Sequence, residues 1–208
     1  MKRVMFGLVA VLMLASLAAF AGTATMDFTG VGENSYNGAY TYPYNFTVTP
    51  SGQSSFLAAL MCVSSNNEVT VGESWTANVL SVGQYGAYLG NTQVADQLAW
   101  LYEQAKNDGG SDPSINAAAW FVRASYLGEA TPGMNTAAST WASDAGLQTF
   151  TTGEFNNVRM YVDANETSPF QTNTAQTFVG STTPEPGTLL MFGSAIIGAA
   201  GFIRRKLV

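Results

Sequence analysis

Cys62 is the only cysteine in this 208-residue chain, so no internal disulfide can form. A cysteine acts as a nucleophile or a metal ligand only as the thiolate, which needs a polar and partly exposed setting. Cys62 instead lies within the apolar residues 56–63, a run that is typical of a core strand. The sequence therefore predicts a buried thiol that packs as a small apolar side chain.

The remaining side chains offer little catalytic chemistry. The chain has no histidine, which excludes histidine-dependent triads, histidine metal sites and the commonest general base. Glu68 with Glu73, and Asp108 with Asp112, have the residue types of a glycosidase carboxylate pair. Each pair lies in a turn-rich segment where solvated acids are the rule, and no calcium-loop spacing is present. We therefore expect no enzymatic activity, no metal and no cofactor.

Four tyrosines, Tyr36, Tyr40, Tyr42 and Tyr44, alternate along one predicted strand. Aromatic rings bind the apolar faces of sugars, so this strand is a candidate contact for extracellular polysaccharide. Alternating tyrosines also occur where a strand has one half-buried face, and the sequence leaves both interpretations open.

The spacing of apolar residues along the chain predicts the helices and strands that must position these groups. Asn91 and Asp112 are predicted helix N-caps, the latter followed by a proline at the first helical position. The predicted strands cover residues 34–48 (interrupted at Pro43), 56–63, 68–71, 73–79, 157–162 and 177–179, and the predicted helices begin near residues 91, 112 and 135. This order predicts an α+β fold, with two or three helices on one side of an antiparallel sheet or barrel.

The N-terminal residues predict export. A basic start is followed by the apolar residues 4–20, and Ala19 and Ala21 form a small-x-small site for signal peptidase before Gly22. The folded domain is then predicted to span residues 22–180. That domain has 13 acidic residues against three basic ones, which disfavours binding to nucleic acid.

The C-terminal residues predict a membrane anchor. Pro184-Glu185-Pro186 is followed by residues 187–203, which contain no ionisable side chain, and by Arg204-Arg205-Lys206. Residues 187–203 are predicted to form a transmembrane helix across the inner membrane, with the basic triplet as a cytoplasmic stop. The alternative is an ordinary anchor that is never cut.

This arrangement over residues 181–208 resembles the PEP-CTERM sorting signal of Gram-negative bacteria. In that family exosortase, a membrane cysteine protease, removes the tail, and the proteins accompany exopolysaccharide production and biofilm formation. The resemblance implies a cell-surface or secreted extracellular-matrix protein with a structural or binding role.

A second resemblance concerns residues 56–126, which look like bacterial thioester domains, including those found on PEP-CTERM proteins. In that family a strand Cys bonds to a helix Gln four residues before a Trp, and the thioester captures an amine or hydroxyl on a partner. Cys62 and Trp120 match this pattern, Asn116 stands at the Gln position, and Ser64 replaces the family's Asp. The resemblance implies an alternative function, a covalent adhesin with Cys62 and Asn116 as its reactive pair.

Overall fold

The computed structural model of the protein describes residues 22–65, 68–130, 133–171 and 174–181. The elements of these residues are β1 (Gly22–Val31), β2 (Ser35–Tyr36), β3 (Ala39–Tyr40), β4 (Tyr44–Pro50), β5 (Phe56–Cys62), β6 (Ser74–Ser81), α1 (Val82–Leu89), α2 (Thr92–Asn107), α3 (Pro113–Leu127), α4 (Thr136–Leu147), β7 (Val158–Asp163) and β8 (Phe178–Ser181).

Six of these strands close into an antiparallel barrel in the order β1-β4-β5-β8-β7-β6, while β2 and β3 pair as a separate hairpin. Side chains alternate between the two faces of each strand, as strand geometry requires. Met26, Phe46 and Phe178 belong to the core inside the barrel, where the rings of Phe46 and Phe178 lie 4.8 Å apart. Their neighbours in the strands point outward.

A second core joins one outer face of the barrel to the helices. Met61, Met160 and Val179 pack there against buried helix residues such as Leu98 and Ala118. The helices begin where their caps place them: Ser81 and Gln84 form a capping box for α1, and Asn91, Asp112 and Asn135 cap α2, α3 and α4. The predicted α+β class with an antiparallel barrel is confirmed.

The antiparallel pairing gives the barrel two distinct ends. At what we call the terminal end, Gly22 pairs with Val79 and Ser181 pairs with Val158, and the turn after Pro50 lies beside them. At the helix-capped end, α3 packs across the barrel, because its Ala117 joins the interior core. The end of β5, with Cys62, lies at the helix-capped end.

Several predicted elements need correction. The described residues form four helices rather than two or three, because α1 follows β6 directly, and β1 was not predicted as a strand. The predicted strand 68–71 is wrong, since this segment turns back through a hydrogen bond from Glu73 N to Thr70 O. Pro43 does interrupt the predicted strand 34–48, separating the β2–β3 hairpin from β4.

Among the residues that the structure describes, no helix is long and apolar enough to cross a membrane. The predicted signal peptide with Ala19 and Ala21, and the predicted transmembrane helix 187–203, lie outside the described residues.

Candidate functional site

Cys62 ends β5 with its side chain pointing into the barrel, and it is fully buried. The alternation along the strand explains this orientation, because its neighbours Met61 and Val63 face the helices. The thiol donates to the main-chain oxygen of Ser64 at 3.0 Å. Ser64 in turn accepts a hydrogen bond on its Oγ from Thr177 N at 2.9 Å, which ties the end of β5 to the segment before β8.

Asn116 meets Cys62 through the main chain. It lies in the first turns of α3, where the Asp112 cap and Pro113 fix the start of the helix. Its Nδ2 donates to the carbonyl oxygen of Cys62 at 2.7 Å, and its Oδ1 accepts from Tyr42 N at 2.9 Å. The carboxamide thus joins α3 to β5 and to the segment before β4, and both of its polar atoms are used by main-chain groups.

The surroundings of the thiol keep it protonated. Burial raises the pKa of Cys62 to about 11, and the hydrogen bond to Ser64, the indole of Trp120 and the charge of Arg123 offset only part of this effect. The Trp120 N–H lies near the sulfur but makes no hydrogen bond that satisfies normal geometry among the described residues. Because the thiolate is the reactive form, the arrangement gives Cys62 little nucleophilic character near neutral pH.

The alternating tyrosines do not form one exposed face. Tyr36, Tyr42 and Tyr44 are buried, whereas Tyr40 is 56% exposed. Tyr36 accepts on its hydroxyl from Asn135 N at 2.6 Å, and Tyr44 donates to Tyr40 O at 2.6 Å. The interpretation of four tyrosines as a sugar-binding face is therefore wrong for three of them, which pack in the core.

Tyr40 instead borders an open groove at the helix-capped end of the barrel. The groove has a volume of about 440 Å³ and includes Phe28, Val71 and Gln176 in its lining. Val71 is as exposed as Tyr40, so the groove presents both an aromatic ring and an aliphatic side chain to solvent. The alternation of the tyrosines indicated this region, but the sequence did not indicate which ring is exposed.

A second cleft, with a volume of about 490 Å³, lies beside the start of α1 and the loop before β7. Asp96 and Glu154 both line it, together with the rings of Phe150 and Phe155, whose centroids are 5.6 Å apart. Partial burial, and then the neighbouring charge of Glu154, raise the pKa of Asp96. Sequence reasoning missed this cleft, because Asp96 and Glu154 come from elements far apart in the chain.

Three of the four carboxylates considered from the sequence serve local structure, whereas Glu68 is exposed and lines the Tyr40 groove. Glu73 accepts from Thr70 N at 2.9 Å, and Asp108 accepts from Asp112 N. Asp112 caps α3 and also accepts from the indole N–H of Trp141 at 2.8 Å. No group of three or more His, Cys, Asp or Glu side chains gathers as a metal site within the described part of the chain.

A buried polar network, which the sequence did not indicate, holds the helices to the loop before β8. Arg123 makes an ion pair with Glu129 at 3.3 Å and donates to Tyr85 Oη and to Pro169 O. Close by, Glu166 accepts from Tyr88 Oη at 2.8 Å. Burial raises the pKa of Glu166, although its hydrogen bond to Tyr88 and the charge of Arg123 oppose that rise.

Comparison with known proteins bears on the C-terminal residues. Residues 182–206 match the family model of the PEP-CTERM protein-sorting motif. The match includes the predicted sorting residues, Pro184, Glu185, Pro186, Arg204, Arg205 and Lys206, all of which lie outside the described structure.

The chain carries a PEP-CTERM sorting motif. This motif marks an exported protein that exosortase processes after a membrane-anchored transit toward the cell surface. No curated protein and no solved structure matched the chain. The resemblance of the barrel domain to thioester domains, and the pairing of Cys62 with Asn116 as a reactive site, therefore stay predictions.

Proposed function

We propose that this chain is a non-enzymatic protein of the cell surface or extracellular matrix, released or attached by exosortase among extracellular polysaccharides in a biofilm. The observation that carries the proposal is the PEP-CTERM motif at residues 182–206. It begins at the residue after β8, the strand that closes the barrel between β5 and β7.

The hydrogen bonds made by the candidate polar side chains support a structural role over a catalytic one. The thiol of Cys62 is buried and protonated, and Asn116 bonds main-chain groups on both sides. The carboxylates Glu73 and Asp112 cap a turn and a helix. The hydrogen bonds that these groups make serve the fold, which favours a structural role.

Two open surfaces support sugar contact. The groove at Tyr40 offers an exposed ring, and the cleft at Phe150 and Phe155 combines rings with hydroxyl, amide and carboxylate groups. Stacking on an aromatic ring together with hydrogen bonds to hydroxyls is the chemistry that holds a neutral sugar.

Processing is tested by expressing the chain in a host with exosortase and in the same host without it. We expect the intact mass to show loss of the tail only where exosortase is present, and triple replacement of Pro184, Glu185 and Pro186 by Ala to prevent the loss. An uncut chain in the exosortase host would refute the processing claim.

Polysaccharide binding is tested separately with the processed protein. Tyr40→Ala should reduce co-sedimentation with the exopolysaccharide of the host, while Tyr126→Ala, a partly exposed tyrosine of α3, serves as the matched control. If neither the wild-type protein nor the control sediments with the polysaccharide, the matrix role is refuted while the processing result stands.

The position of Asn116, whose amide bonds the main-chain carbonyl of Cys62, motivates a test of a second candidate function, covalent capture by a thioester adhesin. Thioester formation from an amide and a thiol releases ammonia, so the intact mass would be lower by one ammonia and a methylamine adduct would form. We expect the full mass and a thiol that is alkylated after unfolding. A mass deficit that methylamine reverses would favour the adhesin instead.

A further inference from the structure

Both ends of the folded domain leave the barrel at its terminal end. Gly22 begins β1 beside Val79 of β6, and Ser181 ends β8 beside Val158 of β7. The sorting motif begins at the next residue, 182. The barrel is therefore joined to the sorting motif at one particular end.

The segment between the barrel and the predicted transmembrane helix is short, and the residue from which it starts is held in place. The main-chain N–H of Ser181 donates to Tyr102 Oη at 3.0 Å, so the last residue of β8 is held against α2. Only residues 182–186 separate Ser181 from the apolar segment 187–203. Even fully extended, such a connection reaches about 20 Å, which is less than the size of the domain itself.

The two ends of the barrel differ in charge. At the terminal end, the turn 51–55 and the loop 148–157 contain one charged residue, Glu154, and the half-buried Asp96 of α2 lies in the same cleft. The loops of the helix-capped end, residues 32–43, 63–73 and 164–177, contain no Lys or Arg, and three of their glutamates, Glu33, Glu68 and Glu73, are exposed. Acidic groups within a Debye length, about 8–10 Å, of an anionic lipid surface are repelled. The helix-capped end is thus poorly suited to face lipid.

The terminal end also presents an apolar side chain. Leu57, the second residue of β5 and close to the turn 51–55, is 81% exposed. An exposed leucine beside neutral serines and glycine is compatible with the headgroup region of a bilayer, which accepts apolar side chains more readily than water does. Tyr40 and Val71 are exposed at the helix-capped end as well, but there the acidic Glu68 lines the same groove.

We propose that, until exosortase removes the tail, the terminal end of the barrel lies against the lipid surface, and the helix-capped end with the Tyr40 groove faces away. This inference rests on the proposed function, because it requires the sorting motif to be inserted in the membrane. In this orientation the groove is already open to extracellular partners while the protein is still anchored.

The orientation is measured with the full chain, purified from a host without exosortase and placed in vesicles of phosphatidylethanolamine and phosphatidylglycerol. Gln53→Cys puts a fluorophore in the turn at the terminal end, and Thr70→Cys puts it in a loop at the helix-capped end; both positions are exposed. The buried Cys62 does not compete for the label. Lipids that carry a nitroxide on the headgroup quench the emission of the fluorophore only over a short range.

We expect the label at Gln53 to lose most of its emission and the label at Thr70 to keep it. Inserting about 20 Gly and Ser residues between Ser181 and Thr182 should release the domain and restore the emission of the label at Gln53. Equal quenching at the two positions, or stronger quenching at Thr70, would overturn the inference.

Flotation with the vesicles separates this inference from the proposed function. If the chain does not float, the membrane-anchored transit fails and the inference fails with it. If the chain floats but the labels do not differ, only the orientation is wrong. If the label at Gln53 is shielded only after exosortase is added, the terminal end binds the protease rather than lipid, and the inference is also overturned.

Discussion

Replacing Asn116 by Ala tests whether its carboxamide is a structural connection. The change removes the acceptor of Tyr42 N–H and the donor to the Cys62 carbonyl, both in a site where Asn116 is 1% exposed. Each buried polar group that loses its partner costs about 1–3 kcal/mol, so we expect a loss of about 3 kcal/mol in the free energy of unfolding. For a domain of this size that corresponds to a decrease of roughly 6–12 °C in Tm.

Urea unfolding of the exosortase-processed protein, followed by tryptophan fluorescence, measures this loss. Asn107→Ala, at the exposed last residue of α2, is the matched control and should change stability by less than about 0.5 kcal/mol. Asn116→Asp turns the atom that faces the Cys62 carbonyl from a donor into an acceptor, so it should destabilise the protein at pH 7 at least as much as Asn116→Ala. If Asn116→Ala matches the control, the structural role assigned to the carboxamide is refuted.

Three further predictions concern buried ionisable groups. With its pKa raised to about 11, native Cys62 should resist a thiol reagent at pH 8 and react only after unfolding, whereas a Ser51→Cys variant should react at once at the added site. Because burial raises the pKa of Glu166 in the folded state, the stability associated with its neutral form is present below about pH 4 and is lost as pH rises. The urea midpoint of the wild-type protein should therefore fall, relative to that of Glu166→Gln, as the pH is raised from acid to neutral. Midpoints that change in parallel for the two proteins would contradict this. Arg123→Ala breaks a buried ion pair and should cost about 3 kcal/mol, against little change for the exposed Lys106→Ala, and equal midpoints for the two would contradict the network's role.

Local signals in the sequence predicted much of the fold. The caps Asn91 and Asp112 placed α2 and α3, because capping depends on side chains within three residues of the helix start. The missed helix α1 had the same kind of signal, since Ser81 and Gln84 form a capping box. The missed strand β1 also shows alternation, with Ala24 and Met26 buried on either side of the exposed Thr25.

Contacts between residues far apart in the chain could not be predicted from local signals in the same way. Asn116 bonds Cys62 across 54 positions in the chain, and nothing local to either residue sets the crossing of α3 over the barrel. The pairing was suggested by resemblance alone. The carboxylates Asp96 and Glu154 come together only because α2 packs beside the loop before β7. Burial of three tyrosines likewise follows from long-range packing, of Tyr36 beside Asn135, Tyr42 beside Tyr102 and Tyr44 beside Phe178, which alternation does not determine.

The buried position of Cys62 protects the protein against forming an intermolecular disulfide. A single cysteine in an exported chain risks pairing with another molecule in an oxidising compartment. Exchange requires a thiolate that a partner can reach. The barrel removes both conditions, because it excludes solvent from the sulfur and raises the pKa of the thiol to about 11. The Asn116 carboxamide supports this arrangement by fixing the Cys62 carbonyl to α3, so a variant that loosens this contact should expose the thiol as well as destabilise the fold.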